Sequence, residues 1–135
     1  MVELVAAGRE WSQALYQVLM AAAMFEMSDL YRMKEFQDYQ LAERAYRRAL
    51  ITARVTLRDE QVRSHLEALS QFSEALPKLV TMVSQSRAAD KLKSGRPLAD
   101  TEVLKKAHAE VDEYSGELEE MEELTRRRVV EVAPP

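Results

Sequence analysis

The sequence predicts an all-α fold: long amphipathic helices in an antiparallel, coiled-coil-like bundle that forms a dimer. The first observation behind this is one heptad that holds its phase from residue 11 to residue 57. Its members are Trp11, Leu15, Val18, Ala22, Phe25, Asp29, Arg32, Phe36, Tyr39, Glu43, Tyr46, Leu50, Ala53 and Leu57, spaced alternately four and three. A 3.5-residue period is what a helix needs to lie along partner helices. The second is that no Gly or Pro occurs between Gly8 and Pro77, so nothing in that span forces a stop. The third is composition. With 47% hydrophobic and 31% charged residues, 3 Gly and 4 Pro, and no alternating apolar–polar run, the chain reads as helix rather than sheet. Its 135 residues suffice for a single helical domain, 1–135.

The first helix is expected over 2–57. At about 1.5 Å per residue it would be on the order of 80 Å long. Gly8 costs about 1 kcal/mol inside a helix and is placed internally. Ser28-Asp29 can cap a new helix, a competing reading, but the unbroken phase favours continuity. After Leu57 the phase is lost. Thr56-Leu57-Arg58-Asp59 has capping-box spacing, with Asp in place of the usual Glu, so a turn or kink falls at 57–61. A second helix, 58–76, opens a new stripe: Val62, Leu66, Leu69, Ser73 and Leu76, continued by Val80 and Val83. Pro77 removes a backbone donor and sets a kink before the third helix, 77–94. Gly95 suits a left-handed C′ position and Pro97 blocks resumption. Asp100 or Thr101 caps the last helix, 100–130, whose seam is Leu104, Ala107, Val111, Tyr114, Leu118, Met121, Thr125 and Arg128. Ala133-Pro134-Pro135 is read as a frayed tail.

Charge is uneven along the chain. Residues 31–63 carry eight basic and five acidic side chains; residues 99–135 carry five basic and eleven acidic ones. A basic middle and an acidic end suggest complementary faces within the fold or across a dimer. No stretch combines dense positive charge with interleaved stacking aromatics, so nucleic acid is not the expected partner. The absence of Cys excludes disulfides, thiolate metal sites and a Cys nucleophile. The N-terminal segment lacks a secretory pattern, because Glu3, Arg9 and Glu10 interrupt it. The longest apolar run, Val18–Phe25, is too short to span a bilayer. A cytoplasmic or membrane-peripheral location is expected.

Chemistry is sparse. The only histidines, His65 and His108, lack the Glu three residues upstream that a helical carboxylate metal site uses; Val62 and Lys105 stand there. The run Glu117, Glu119, Glu120, Glu122 and Glu123 reads as a solvated face, and Arg126-Arg127-Arg128 as favourable charge near a helix C-terminus. No phosphate loop, nucleophile elbow or zinc spacing occurs. Tyr31, Tyr39, Tyr46 and Tyr114 are assigned to packing. No catalytic, cofactor or metal residue is assigned, and no enzyme is expected. The candidate site is a basic stripe, Arg44, Arg47, Arg48 and Arg58, with Arg54 less cleanly aligned. It would face anionic lipid at about 1 kcal/mol per cation or pair with the acidic last helix. The packing seam comprises Trp11, Leu15, Val18, Phe25, Phe36, Tyr39, Tyr46, Leu50 and Leu57. Met20, Met24, Met27 and Met33 cluster in the first helix, as core filling or an adaptable contact surface.

Arg32-Met33-Lys34 and Asp38-Tyr39, followed by Ala42, Ala45, Arg48 and Ala49, resemble the long second helix of the BAR domain of sorting nexins. Leu104-Lys105-Lys106-Ala107-His108 through Glu110, Tyr114, Glu117 and Glu120 resemble its third helix. The resemblance implies dimerisation through helix faces and binding of curved anionic membrane through Arg44, Arg47 and Arg48. The function expected is therefore a non-enzymatic helical scaffold, BAR-like in its most concrete form and acting in membrane trafficking. The alternative is a soluble adaptor or chaperone that holds a partner helix or peptide.

Overall fold

The computed structural model describes residues 1–95 and 98–132, apart from the side chains of 94 and 128–132. Every regular element among the described residues is a helix: α1 (Val2–Met24), α2 (Met27–Leu30), α3 (Lys34–Thr56), α4 (Glu60–Ala75), α5 (Pro77–Ser94) and α6 (Thr101–Val132). The expected break at Arg96-Pro97, the seam position Arg128 and the tail 133–135 lie outside the described residues or side chains.

The 2–57 helix is not continuous. Phe25 and Glu26 adopt extended backbone (φ −123°, ψ 151°; φ −66°, ψ 152°), and Met33 is extended again before α3. α3 then folds back along α1: Trp11 meets Tyr46, and Met24 shares a groove with Met33. The break comes two residues before Ser28, and no side chain caps α2. The cause lies in the seam. A single helix of that length would leave its apolar stripe uncovered. Asp29 and Arg32 are two consecutive charged members of that stripe, and both are exposed at the corner. Turning there lets each half cover the other, with Leu30 as a fully buried anchor.

The remaining boundaries have local causes. Leu57 is extended, and the Asp59 carboxylate accepts from the backbone N–H groups of Gln61 and Val62 at 3.0 and 3.5 Å. Asp59 is thus itself the N-cap of α4 rather than the far end of a capping box begun at Thr56. Leu76 stays helical and α5 starts at Pro77, so α4 and α5 form one kinked arm. The stripe Val62, Leu66, Leu69, Ser73, Leu76, Val80 and Val83 is buried along the whole arm. Gly95 closes α5 at φ 73°, a left-handed position. Asp100 caps α6, accepting from Glu102 N–H at 2.8 Å. The linker is pinned by Ala99 N–H donating to Ala23 C=O at 3.0 Å.

α1 is the central helix and touches α2, α3, α5 and α6. At its middle, four helices contribute one aromatic each. Trp11 stacks on Tyr46 (centroids 4.8 Å, 18°) and meets Tyr114 edge-on at 5.3 Å. Tyr114 also meets Tyr46 at 5.6 Å and Phe72 at 5.5 Å. Burial pushes the Tyr46 and Tyr114 phenols well above the usual tyrosine range, and Tyr46 donates to Leu69 C=O at 3.2 Å. Gly8 permits the close approach of α1 to α6: a Cβ there would lie 2.7 Å from Leu118 Cδ2 and 2.8 Å from the Tyr114 hydroxyl.

Candidate docking face on α3

Helix periodicity divides α3 into two faces. Tyr39, Tyr46, Leu50 and Ala53 are buried against the core, and burial followed by the Glu43 charge raises the Tyr39 phenol. The opposite face carries Leu41, Arg44, Arg48, Ile51 and Val55 at steps of three and four, and Arg58 follows past the helix end, beyond the extended Leu57. All six are exposed, with Leu41 at 64%, Ile51 at 63% and Val55 at 74%. Arg44, Arg48 and Arg58 form no ion pair or hydrogen bond among the described residues. The result is an outward-facing helical line in which Arg44 and Arg48 interleave with Leu41, Ile51 and Val55, with Arg58 exposed beyond its end.

The other arginines behave differently. Arg47 Nη2 lies 2.9 Å from Glu43 Oε1 and donates to Ser73 C=O at 3.2 Å, tying α3 to α4. Arg54 donates to Ser70 Oγ at 3.1 Å. Pairing of the stripe with the acidic last helix is not what the fold builds. α6 instead directs Glu122 to Arg9, Asp112 to the Tyr16 hydroxyl and Glu117 to His65. Asp112, together with burial, raises the Tyr16 phenol. Arg126 and Arg127 sit one turn inside the end of α6 and pair with Glu122 and Glu123 on their own helix.

The seam residues divide as well. Trp11, Leu15, Val18, Tyr39, Tyr46 and Leu50 are buried, Phe36 and Leu57 half-buried, and Phe25 exposed at the corner. With Met20 and Met24, both exposed, Phe25 lines the α1–α3 groove, and Tyr31, also exposed, packs edge-on against Phe36 at the same corner. The sequence signal for the aliphatic members of the α3 line is a second heptad (41, 44, 48, 51, 55) out of phase with the buried one.

Among the described residues no helix is long and apolar enough to cross a membrane. Comparison with family models, curated proteins and solved structures finds no match for this chain.

Proposed function

We propose that this chain is a non-enzymatic helical scaffold that docks on an anionic membrane surface through the outward face of α3. One observation carries the reading: two unpaired arginines, Arg44 and Arg48, share one face of α3 with three exposed aliphatic side chains, and a third unpaired arginine, Arg58, is exposed just past its end. Cations near an anionic leaflet contribute about 1 kcal/mol each, and aliphatic side chains seated at the headgroup boundary add to that. Arg also offers a planar, bidentate fork to phosphate. The dimeric, coiled-coil-like assembly and the BAR-like role in membrane trafficking rest on the resemblance of Arg32–Ala49 and Leu104–Glu120 to sorting-nexin helices. A helix of 23 residues spans about 35 Å, so recognition of curvature would come from a dimer rather than one chain.

The test is co-sedimentation with phosphatidylserine-containing and neutral vesicles at low and moderate salt. Replacing Arg44, Arg48 and Arg58 together by Glu should weaken binding to the anionic vesicles by about 100-fold. Helical content should stay unchanged, because these side chains hold nothing else. Binding that survives the triple change sinks the proposal.

The exposed Met20, Met24, Phe25 and Tyr31 favour a second reading, a soluble adaptor whose Met-rich corner holds a partner helix. It predicts a lipid-indifferent protein that forms a stable complex with its partner, lost on changing Met24 and Phe25 to Ser.

A further inference from the structure

We propose that His65, Glu117 and Glu120 form a zinc-binding site that clamps α4 to α6. The donors come from two helices. His65 lies on the second turn of α4, while Glu117 and Glu120 lie one turn apart on α6. One ligand atom from each residue lies within 4.8 Å of the others, and His65 Nδ1 is 2.5 Å from Glu117 Oε1. Zinc bonds of about 2.0–2.1 Å at tetrahedral angles place adjacent ligand atoms roughly 3.3 Å apart. The hydrogen-bonded His65–Glu117 pair lies closer than that and the whole set lies within 4.8 Å, so modest side-chain rotations would bring the three donors to zinc-ligand spacing.

The chemistry of the donors points to the metal. Imidazole with two carboxylates suits a borderline divalent ion, whereas calcium and magnesium prefer all-oxygen shells. His65 and Glu117 are partly buried, with side-chain exposures of 26% and 19%, and Glu120 faces solvent. Two donors are thus held in place by packing, and the third can swing in. Three protein ligands leave a fourth position for water. None of the three residues lies on α3, so the site stands independently of the membrane proposal.

The experiment is equilibrium dialysis of the full chain against zinc alone, with calcium as comparison and cobalt as a spectroscopic probe of tetrahedral ligation. One zinc per chain is expected, with a raised melting temperature and visible cobalt absorption. Glu120→Gln, at an exposed position that leaves the fold intact, should weaken zinc binding by about tenfold or more. His65→Asn should weaken it further, and Glu119→Gln, the exposed neighbour, should bind as the parent does. No zinc retained by the folded parent, equal retention of calcium, or zinc binding unchanged in Glu120→Gln and His65→Asn would each overturn the site.

Discussion

The middle and the corner of the α1–α3 hairpin are held by different physics. At the junction around Trp11, four helices meet through stacked and edge-on rings, all but Phe72 buried. At the corner, residues 25–33, apolar packing is partial, with Met27 and Met33 half-buried and Tyr31 edge-on to Phe36, and polar contacts add to it: Lys91 Nζ to Glu26 at 2.9 Å, Ser84 hydroxyl to Met27 sulfur at 3.1 Å and, just before the corner, Ala99 N–H to Ala23 C=O. Only Leu30 is fully buried there. Aromatic burial is insensitive to salt and costly to disturb, whereas exposed ion pairs contribute little and are screened. One heptad thus serves as core at the middle of the hairpin and largely as surface at its corner.

The largest effect that can break this comparison is Trp11→Ala. Truncating a fully buried tryptophan costs about 3–5 kcal/mol, a sizeable share of the stability of a domain of this size. The urea midpoint should fall accordingly. The same truncation at Phe25, which is 41% exposed, should move it by less than about 0.5 kcal/mol. Equal losses at the two positions would mean the junction is not the structural centre.

Gly8→Val comes next. Its side chain would press into Leu118 and Tyr114 on α6, so the helices must separate or the side chains leave their rotamers. Overpacking of this kind costs about 1–3 kcal/mol, partly offset by relief of glycine's poor helix propensity. Thermal melts should show a loss. A stabilised variant would show that α6 can retreat freely from α1, and that the junction is looser than its ring contacts imply.

These contacts also mark what the sequence could and could not reveal. The caps were legible because they are local: Pro77 at a helix start, Gly95 in a left-handed stop and Asp100 before α6 each act within one turn. The stripe Val62–Val83 was legible because burial follows helix period. The break at 25–26 was not, because no Gly or Pro marks it and the heptad keeps its phase through it. A continuous helix and two helices folded back on one another produce the same seam, and only the Ser28-Asp29 capping pattern and the consecutive charged seam members Asp29 and Arg32 hint at the difference. Within the candidate face, the exposure of Arg44 and Arg48 follows from period, but Arg47's tie to Ser73 depends on where α4 returns. His65 meets Glu117 across 52 residues, a pairing that no local spacing rule can detect.

The smallest effect sharpens the comparison at the corner. The Glu26 carboxyl is held below the usual glutamate range, first by the hydrogen bond from Lys91, then by the charges of Lys91 and Arg87. A carboxyl lowered in the folded state contributes stability that is present above the unfolded value, about 4.3. That contribution is lost as pH falls through the folded value. Lys91→Met should therefore raise the Glu26 titration midpoint, read by NMR of its carboxyl carbon, and flatten the pH dependence of stability on the acid side. Added salt should shift the parent's midpoint in the same direction, since both groups are exposed. The Tyr46 and Tyr114 rings, by contrast, should keep their chemical shifts through the same titration and the same salt series. A Glu26 midpoint that ignores both Lys91 and salt would mean that the corner is pinned by Leu30 and the backbone alone, and that its polar contacts are incidental.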